Sequence, residues 1–249
     1  MLVVEHLAKN FGTLKAVQDL SFEIKDGEIL GLVGQNGSGK TTTFRMLLGL
    51  MQPTAGKVLW DGEKIGEKQK DLIGYLPEER GLYPKETIEQ QVMYFGKLRG
   101  KAPREIKEKL DYWMDHLQVK GKKNDKIKSL SKGNQQKVQL ITTLIHEPKL
   151  VILDEPFSGL DPVNAQIMQD AIIALRKQGS CVIFSSHNMA NVEQICDRLV
   201  MIKDGRQVLA GKVQDIKDSF GKIKVFLESP LTTAEVQAVS GVVAVKERG

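Results

Sequence analysis

The chain has 249 residues, 41% of them hydrophobic and 27% charged, with 36 Lys and Arg against 31 Asp and Glu for a net charge of +5. That length allows one large domain or one domain with an appendage, and the balance is that of a globular protein rather than a disordered or fibrous one. No apolar run reaches the roughly 18 residues of a membrane span, and Met1 to Lys9 lacks the basic-then-apolar layout of a secretory leader, so an intracellular chain is expected.

From the N-terminus, Leu2 to Leu7 and Leu20 to Ile24 read as strands, with turns at Phe11-Gly12 and Lys25-Asp26-Gly27. Glu28 to Val33 is a short apolar segment with the character of a buried strand, and Thr42 to Leu48 has helical spacing. Between them runs Gly34-Gln35-Asn36-Gly37-Ser38-Gly39-Lys40-Thr41, which fits the phosphate-binding pattern GxxxxGK[ST]. Strand, glycine-rich turn and helix is the context that makes the pattern a site. Glycines allow backbone N–H groups to converge on phosphate oxygens, and the helix adds the partial positive charge of its N-terminus. Lys40 is placed to reach the β- and γ-phosphates, and the Thr41 hydroxyl to ligate Mg²⁺. The chain is therefore expected to bind a nucleoside triphosphate.

Lys57 to Trp60 followed by Asp61-Gly62 is a hairpin signal, and Ile73 to Leu76 is a short strand ended by Pro77. Helical patterns run from Thr87 to Leu98 and from Arg104 to Leu117; in the second, Ile106, Leu110, Trp113 and Leu117 share one face, read as packing. The densest basic run, Lys120 to Lys128, is broken by Gly121 and Asp125 and reads as a solvated loop. Strand character returns at Lys149 to Leu153 and Ser180 to Ser185, flanked by helical stretches at 133–146 and 163–178, a pattern of parallel sheet covered on both faces. Leu199 to Lys203, Asp204-Gly205 and Arg206 to Ala210 form a closing hairpin. Cys181 and Cys196 lie in apolar and amphipathic runs and are expected as buried free thiols. In the tail, 222–228 and 242–246 read as strands around a helix at 232–239 capped by Thr232 or Thr233. This unit is too small to bury its own core, so the chain is expected to stop inside an accessory module.

Further motifs carry chemistry. Leu150 to Leu153 is an apolar strand that delivers Asp154 and Glu155 to the nucleotide side of the sheet. Asp154 is expected to hold the Mg²⁺ shell and Glu155 to polarise the attacking water. Ser131, in Leu130-Ser131-Lys132-Gly133-Asn134-Gln135-Gln136-Lys137, begins a helix whose N-terminus offers a second anion site. Ser158-Gly159-Leu160-Asp161 follows the acidic strand, and His187 stands just past the next strand end.

With these elements in this order, residues 1 to about 212 resemble the nucleotide-binding subunits of ATP-binding cassette (ABC) transporters. GQNGSGKTT at 34–42, ending in Thr42, is similar to the family's phosphate loop, LVILDEP at 150–156 to its acidic strand, and LSKGNQQK at 130–137 to its signature motif. The resemblance implies an α/β P-loop NTPase core with a mostly parallel sheet. It also implies an N-terminal antiparallel β subdomain, a helical subdomain at about 85–145 and a partial βαβ module at 221–249 after an ATPase domain at 1–220. It makes Phe11 an adenine-stacking ring, Ser131 and Gly133 nucleotide contacts from a second subunit, Asp161 the dimer-contacting acid and His187 the switch histidine. Two departures stand out. Lys132 and Asn134 replace Gly and Gln of the signature, and Glu78 stands near the family's Mg²⁺-contacting loop Gln. The variant signature and GYLPEERGLYP at 74–84 look like exporters whose membrane subunit is a separate chain. The expected protein is thus an ATPase that dimerises head to tail on ATP, as a homodimer or with a related subunit. It would use Mg²⁺ and work on the inner face of the cell membrane with an integral membrane subunit. The alternative, a soluble cassette ATPase acting on the ribosome or nucleic acid, has only the +5 charge behind it; the single motif set and lack of sustained heptads count against it.

Overall fold

The computed structural model of the protein describes residues 1–79, 81–220, 230–242 and 244–245. The chain divides into two units, Met1–Gln214 and Asp215–Gly249. In chain order the elements are β1 (Leu2–Phe11), β2 (Leu14–Ile24), β3 (Ile29–Val33), α1 (Lys40–Leu47), β4 (Ala55–Trp60), β5 (Glu63–Lys64), α2 (Glu67–Lys70) and β6 (Ile73–Leu76). They continue with α3 (Ile88–Leu98), α4 (Pro103–His116), a 3₁₀ turn (Ile127–Ser129), α5 (Lys132–Leu144), β7 (Leu150–Leu153), α6 (Pro162–Lys177) and β8 (Cys181–Ser186). The last are α7 (Met189–Ile195), β9 (Arg198–Lys203), β10 (Arg206–Lys212), α8 (Val213–Phe220) and α9 (Thr233–Gln237).

The strands lie in the order β5-β4-β1-β2-β10-β9-β3-β8-β7-β6. From β9 to β6 neighbouring strands are parallel, whereas β1, β2, β4 and β5 pair antiparallel. The pattern follows from the sequence. Every residue of β3, β7 and β8 is buried, as expected for strands covered on both faces. β1 and β2 instead mix buried with exposed residues, as a sheet with one wet face requires. Leu30, Leu32, Ile152 and Ile183 pack with Phe44 and Leu47 of α1 in the main core. At Gly31 a Cβ would lie 2.9 Å from Cys196 Sγ and from Val192 Cγ1, so α7 packs closely on β3 only because a glycine is there.

Most expected elements are present, and the differences have causes. Phe11 ends a strand instead of beginning a turn, because the pairs Asn10↔Lys15 and Phe11↔Leu14 carry the hairpin to Gly12. The sequence did not reveal α2, α7 or α8. α2 is a single polar turn, and α7 is started by Asn188, whose side chain accepts from Ala190 N at 2.9 Å. Ile106, Leu110, Trp113 and Leu117 are all buried, where α4 packs with α3 and α5. Both cysteines are free, and burial pushes the Cys181 thiol up to about 12 and raises that of Cys196, which disfavours the thiolate at both. In the second unit, α9 is capped by Thr232, with Glu235 returning a 2.7 Å bond to Thr232 N. The strand expected at 222–228 lies outside the described residues, and that at 242–246 partly so.

The parallel register aligns the strand ends. Val33 pairs with Ser186, Leu153 with Phe184 and Leu76 with Leu153. Gly34, Asp154, His187 and Glu78 therefore all emerge at the C-terminal edge of the sheet, where α/β folds bind ligands.

His146, at the opposite end of the strands where Ile73 begins β6, is 8% exposed and donates from Nε2 to Ile73 O at 3.1 Å. Burial, more than the positive charges of Arg99 and Lys101, pushes its pKa down to about 4. A base with a folded pKa below its unfolded value adds stability that is complete above the unfolded pKa of ~6.5 and is lost as pH falls towards the folded value. Between pH 7 and pH 5 the folded state should lose about 2 kcal/mol through this residue. Urea unfolding of His146→Gln, which keeps a donor for Ile73 O, should show a correspondingly flatter pH dependence than the parent.

Candidate functional site

The phosphate loop has the shape its glycines permit. Gly39, at φ 109, closes the loop as the N-cap of α1, and a Cβ there would lie 2.5 Å from Ala16 O on β2. A Cβ on Gly34 would overlap Ser38 Oγ and Ile202 O. Gln35, Asn36 and Gly37 form the exposed crown, while Ser38 is buried and its hydroxyl has no partner. Lys40 folds back over the loop, donating to Gly34 O at 2.8 Å and Gln35 O at 3.2 Å. Thr41 donates to Asp154 Oδ2 at 2.9 Å, and Thr42 sits half-buried beside it on α1.

The acids are held from the neighbouring strand. Asp154 follows the last residue of β7, and its backbone N–H donates to Leu76 O of β6. Ser185 on β8 donates to Asp154 Oδ1 at 2.6 Å and accepts from Glu155 N at 2.8 Å. Glu155 adopts φ 48, a left-handed conformation that costs a non-glycine residue energy and that clusters at functional sites. The turn directs its carboxylate at Lys40 and His187. Glu155 Oε2 is 3.0 Å from His187 Nδ1, and Oε1 is 3.6 Å from Lys40 Nζ. The second distance is an ion pair but too long for a hydrogen bond, so Oε1 is buried without a hydrogen-bond partner. His187 is 60% exposed where Glu155 is 8%, so the histidine is the solvent-side member of the pair. Lys40, Thr41, Asp154, Glu155 and His187 thus form one connected cluster around the loop.

Other expected residues lie differently. Glu78 is exposed two residues past β6. It acts on Tyr75, whose hydroxyl is pushed up to about 12 by burial first, then by the Asp154 and Glu78 charges, against the opposing Arg45. Tyr75 therefore stays a neutral donor among acids. Phe11 stands 46% exposed on the β1–β2 hairpin, with Lys9 Nζ 5.3 Å from its ring centroid, and β2 runs from there to Ala16 behind Gly39. Ser131 caps α5, accepting from Asn134 N at 3.4 Å and Asn134 Nδ2 at 3.0 Å. Asp161 caps α6, accepting from Asn164 N and Nδ2, bonds that hold its carboxyl below the usual range. A Cβ on Gly133 would come within 3.1 Å of Asn164 Nδ2, so the α5 start abuts the Asp161 loop. Among the described residues no hydrogen bond or ion pair joins Ser131, Gly133 or Asp161 to the cluster around Lys40. Sequence reasoning missed Ser185 and Tyr75. The Ser185-Ser186-His187 run at a strand end was a signal for the first.

Among the described residues no three His, Cys, Asp or Glu side chains converge to hold a metal by themselves. The adjacent Thr41 hydroxyl and Asp154 carboxylate fit a Mg²⁺ that takes its other oxygens from phosphates and water.

A family model described as "ABC transporter" matches residues 17–158, from β2 through the phosphate loop and acidic strand. The chain belongs to the ABC transporter family. It is 44% identical over 247 residues to the ABC transporter ATP-binding protein YhaQ of Bacillus subtilis (strain 168), covering 99% of this chain and 83% of that one. The linearmycin resistance ATP-binding protein LnrL of the same organism is 34% identical over 89% of this chain and 72% of its own. A solved structure of an ATP-binding subunit of an ABC transporter superposes with TM-score 0.81 at 28% identity, covering 89% of this chain and 93% of that one. The protein is an ATP-binding subunit and ATPase of this family.

Because Ser185 satisfies two buried groups at once, Ser185→Ala leaves both the Glu155 N–H and Asp154 Oδ1 short of a partner. Urea unfolding should show a loss of about 1–3 kcal/mol, with a fall in ATPase rate larger than the fall in ATP affinity.

Proposed function

We propose that the chain is the ATP-hydrolysing subunit of an exporter, acting as a Mg²⁺-dependent, head-to-tail dimer beneath a separate membrane subunit. The observation that carries this reading is the division of the expected site into two groups. Lys40, Thr41, Asp154, Glu155 and His187 are bound together, while Ser131, Gly133 and Asp161 form a second group packed on itself. A triphosphate on the phosphate loop would be enclosed only when Ser131 and Gly133 arrive from another copy, which couples hydrolysis to closure. The export direction is supported by the resistance function in the name of LnrL.

The chemistry rests on the cluster. Lys40 exchanges Gly34 O and Gln35 O for phosphate oxygens, a stronger charge-assisted contact. Thr41 and Asp154 would hold Mg²⁺, which would neutralise phosphate charge there. As Lys40 turns to phosphate it releases Glu155 Oε1, which accepts a hydrogen bond from the attacking water and then its proton. His187 holds Oε2 and keeps the carboxylate in its turned conformation. Ser38 Oγ, buried without a partner, gains one when phosphate fills the loop. Phe11 offers its exposed ring to adenine. Glu78, beside Tyr75, orients water at the metal edge.

The membrane subunit would dock beside the aromatic group formed by Tyr83 and the Tyr94-Phe95 pair of α3. Tyr83 stacks on Phe95 with centroids 6.3 Å apart and meets Tyr94 edge-on, leaving both tyrosines about half exposed. Buried Gln91 holds this surface by accepting from Tyr83 N at 3.0 Å. Movement of that surface on closure would reach the membrane.

Glu155→Gln should retain ATP and accumulate the closed dimer. With Mg-ATP, light scattering should report twice the monomer mass, and the variant should co-purify a polytopic membrane protein from solubilised membranes. A monomer under saturating ATP, or ribosomal proteins in place of a membrane protein, would remove the proposal.

A further inference from the structure

Lys40, Asp154 and Glu155 are buried where the nucleotide chemistry needs them. Lys137, near the middle of α5, is buried too, at 2% exposure, and has no part in that cluster. Its ammonium donates to Gln118 O at 3.4 Å, the far edge of a hydrogen bond. Gln118 itself is held at φ 47, in the left-handed region, just past the end of α4. Burial lowers the Lys137 pKa, and Lys120 lowers it further, while the Asp161 carboxylate raises it. A buried ammonium so thinly bonded is expensive, and an apolar side chain of similar length would fill the same space without the charge.

The surroundings indicate what the charge does. Asn134, one turn earlier on α5, accepts from Lys120 N at 3.0 Å and donates to Ser131 Oγ at 3.0 Å. Lys137 and Asn134 therefore both grip the Gln118–Lys120 segment from the helix that begins with Ser131. Gly133 of that helix abuts Asn164, whose amide holds Asp161 Oδ2. Val163, next to this loop, is 69% exposed, leaving an apolar surface beside Asp161 open.

We infer that Lys137 is a positioning residue: its buried ammonium, bonded to Gln118 O, locks the start of α5 to the Gln118–Lys120 segment, so that Ser131, and through Gly133 and Asn164 the Asp161 loop packed on it, meet a second subunit as one surface. This inference rests on the dimer reading above. Lys137 touches neither nucleotide nor water in it. A purely structural lysine and a positioning one differ in what their removal does. Loss of a structural contact lowers stability, whereas removal of a costly buried charge leaves or raises stability and loosens only the surface it set.

The test compares Lys137→Met and Lys137→Arg with the parent by thermal unfolding and steady-state ATPase kinetics, alongside the ATP-dependent mass of Glu155→Gln. The expected result is a Tm for Lys137→Met at or above the parent's, kcat lower by about tenfold, and KM for ATP within about twofold. Lys137→Arg should recover most of kcat. If Lys137→Met keeps kcat within about twofold of the parent while Glu155→Gln dimerises with ATP, the inference fails and the dimer reading stands. If kcat and Tm fall together and Lys137→Arg restores neither, Lys137 is a packing residue and the inference is overturned. If Glu155→Gln stays monomeric with ATP, the dimer reading falls and the inference falls with it.

Discussion

The Ser185 hydroxyl connects the pieces of the reactive edge. It donates to Asp154 Oδ1 and accepts from Glu155 N, so one side chain on β8 fixes two consecutive acids at the end of β7. Without it, the left-handed turn at Glu155 would have no reason to persist, because a non-glycine residue holds φ 48 only where its surroundings demand it. That turn separates the two carboxylates. Asp154 stays against Thr41, and Glu155 is carried towards Lys40 and His187. In the proposed reaction this places one acid on the metal side of the site and the other on the water side. The division of labour comes from backbone geometry, since both residues are carboxylic acids on adjacent positions.

The same edge has an electrostatic resting state. Lys40 is satisfied by two carbonyls of its own loop and by the Glu155 charge. In the proposed reaction a triphosphate would take Lys40 from all three, the loop would gain a stronger partner and Glu155 would lose its counter-charge as a water is polarised. Binding and activation of the base would then be linked through this ion pair. The second group, at the starts of α5 and α6, is held by its own caps and by Gly133 against Asn164.

Local features were legible in the sequence. The phosphate loop, the apolar strand ending in Asp154-Glu155, and the histidine past the next strand are written in consecutive residues, and their burial follows from composition. So is the packing face of α4, through the spacing of Ile106, Leu110 and Trp113. What could not be read are pairings across the sheet. Nothing at Ser185 says that it lies beside Asp154 until β7 and β8 are placed next to each other, and Tyr75 acquires its place only through the register of β6 with β7. The Asn134 departure also took meaning from tertiary contacts, whereas Lys132 is exposed and nothing in the structure explains it. Asn134 is explained by its bonds to Lys120 and Ser131. Phe11 was placed in a turn because the polar residues around it hid a strand that cross-strand pairing extends.

The central claim is that Glu155, turned out of line with Asp154, supplies the base for hydrolysis. A single-turnover quench of γ-labelled ATP bound to Glu155→Gln, against the parent protein, tests it most directly. The account predicts that the variant binds ATP with little change in affinity and holds it unhydrolysed over many parent turnover times. Release of labelled phosphate at a rate near that of the parent would contradict it and move the base elsewhere.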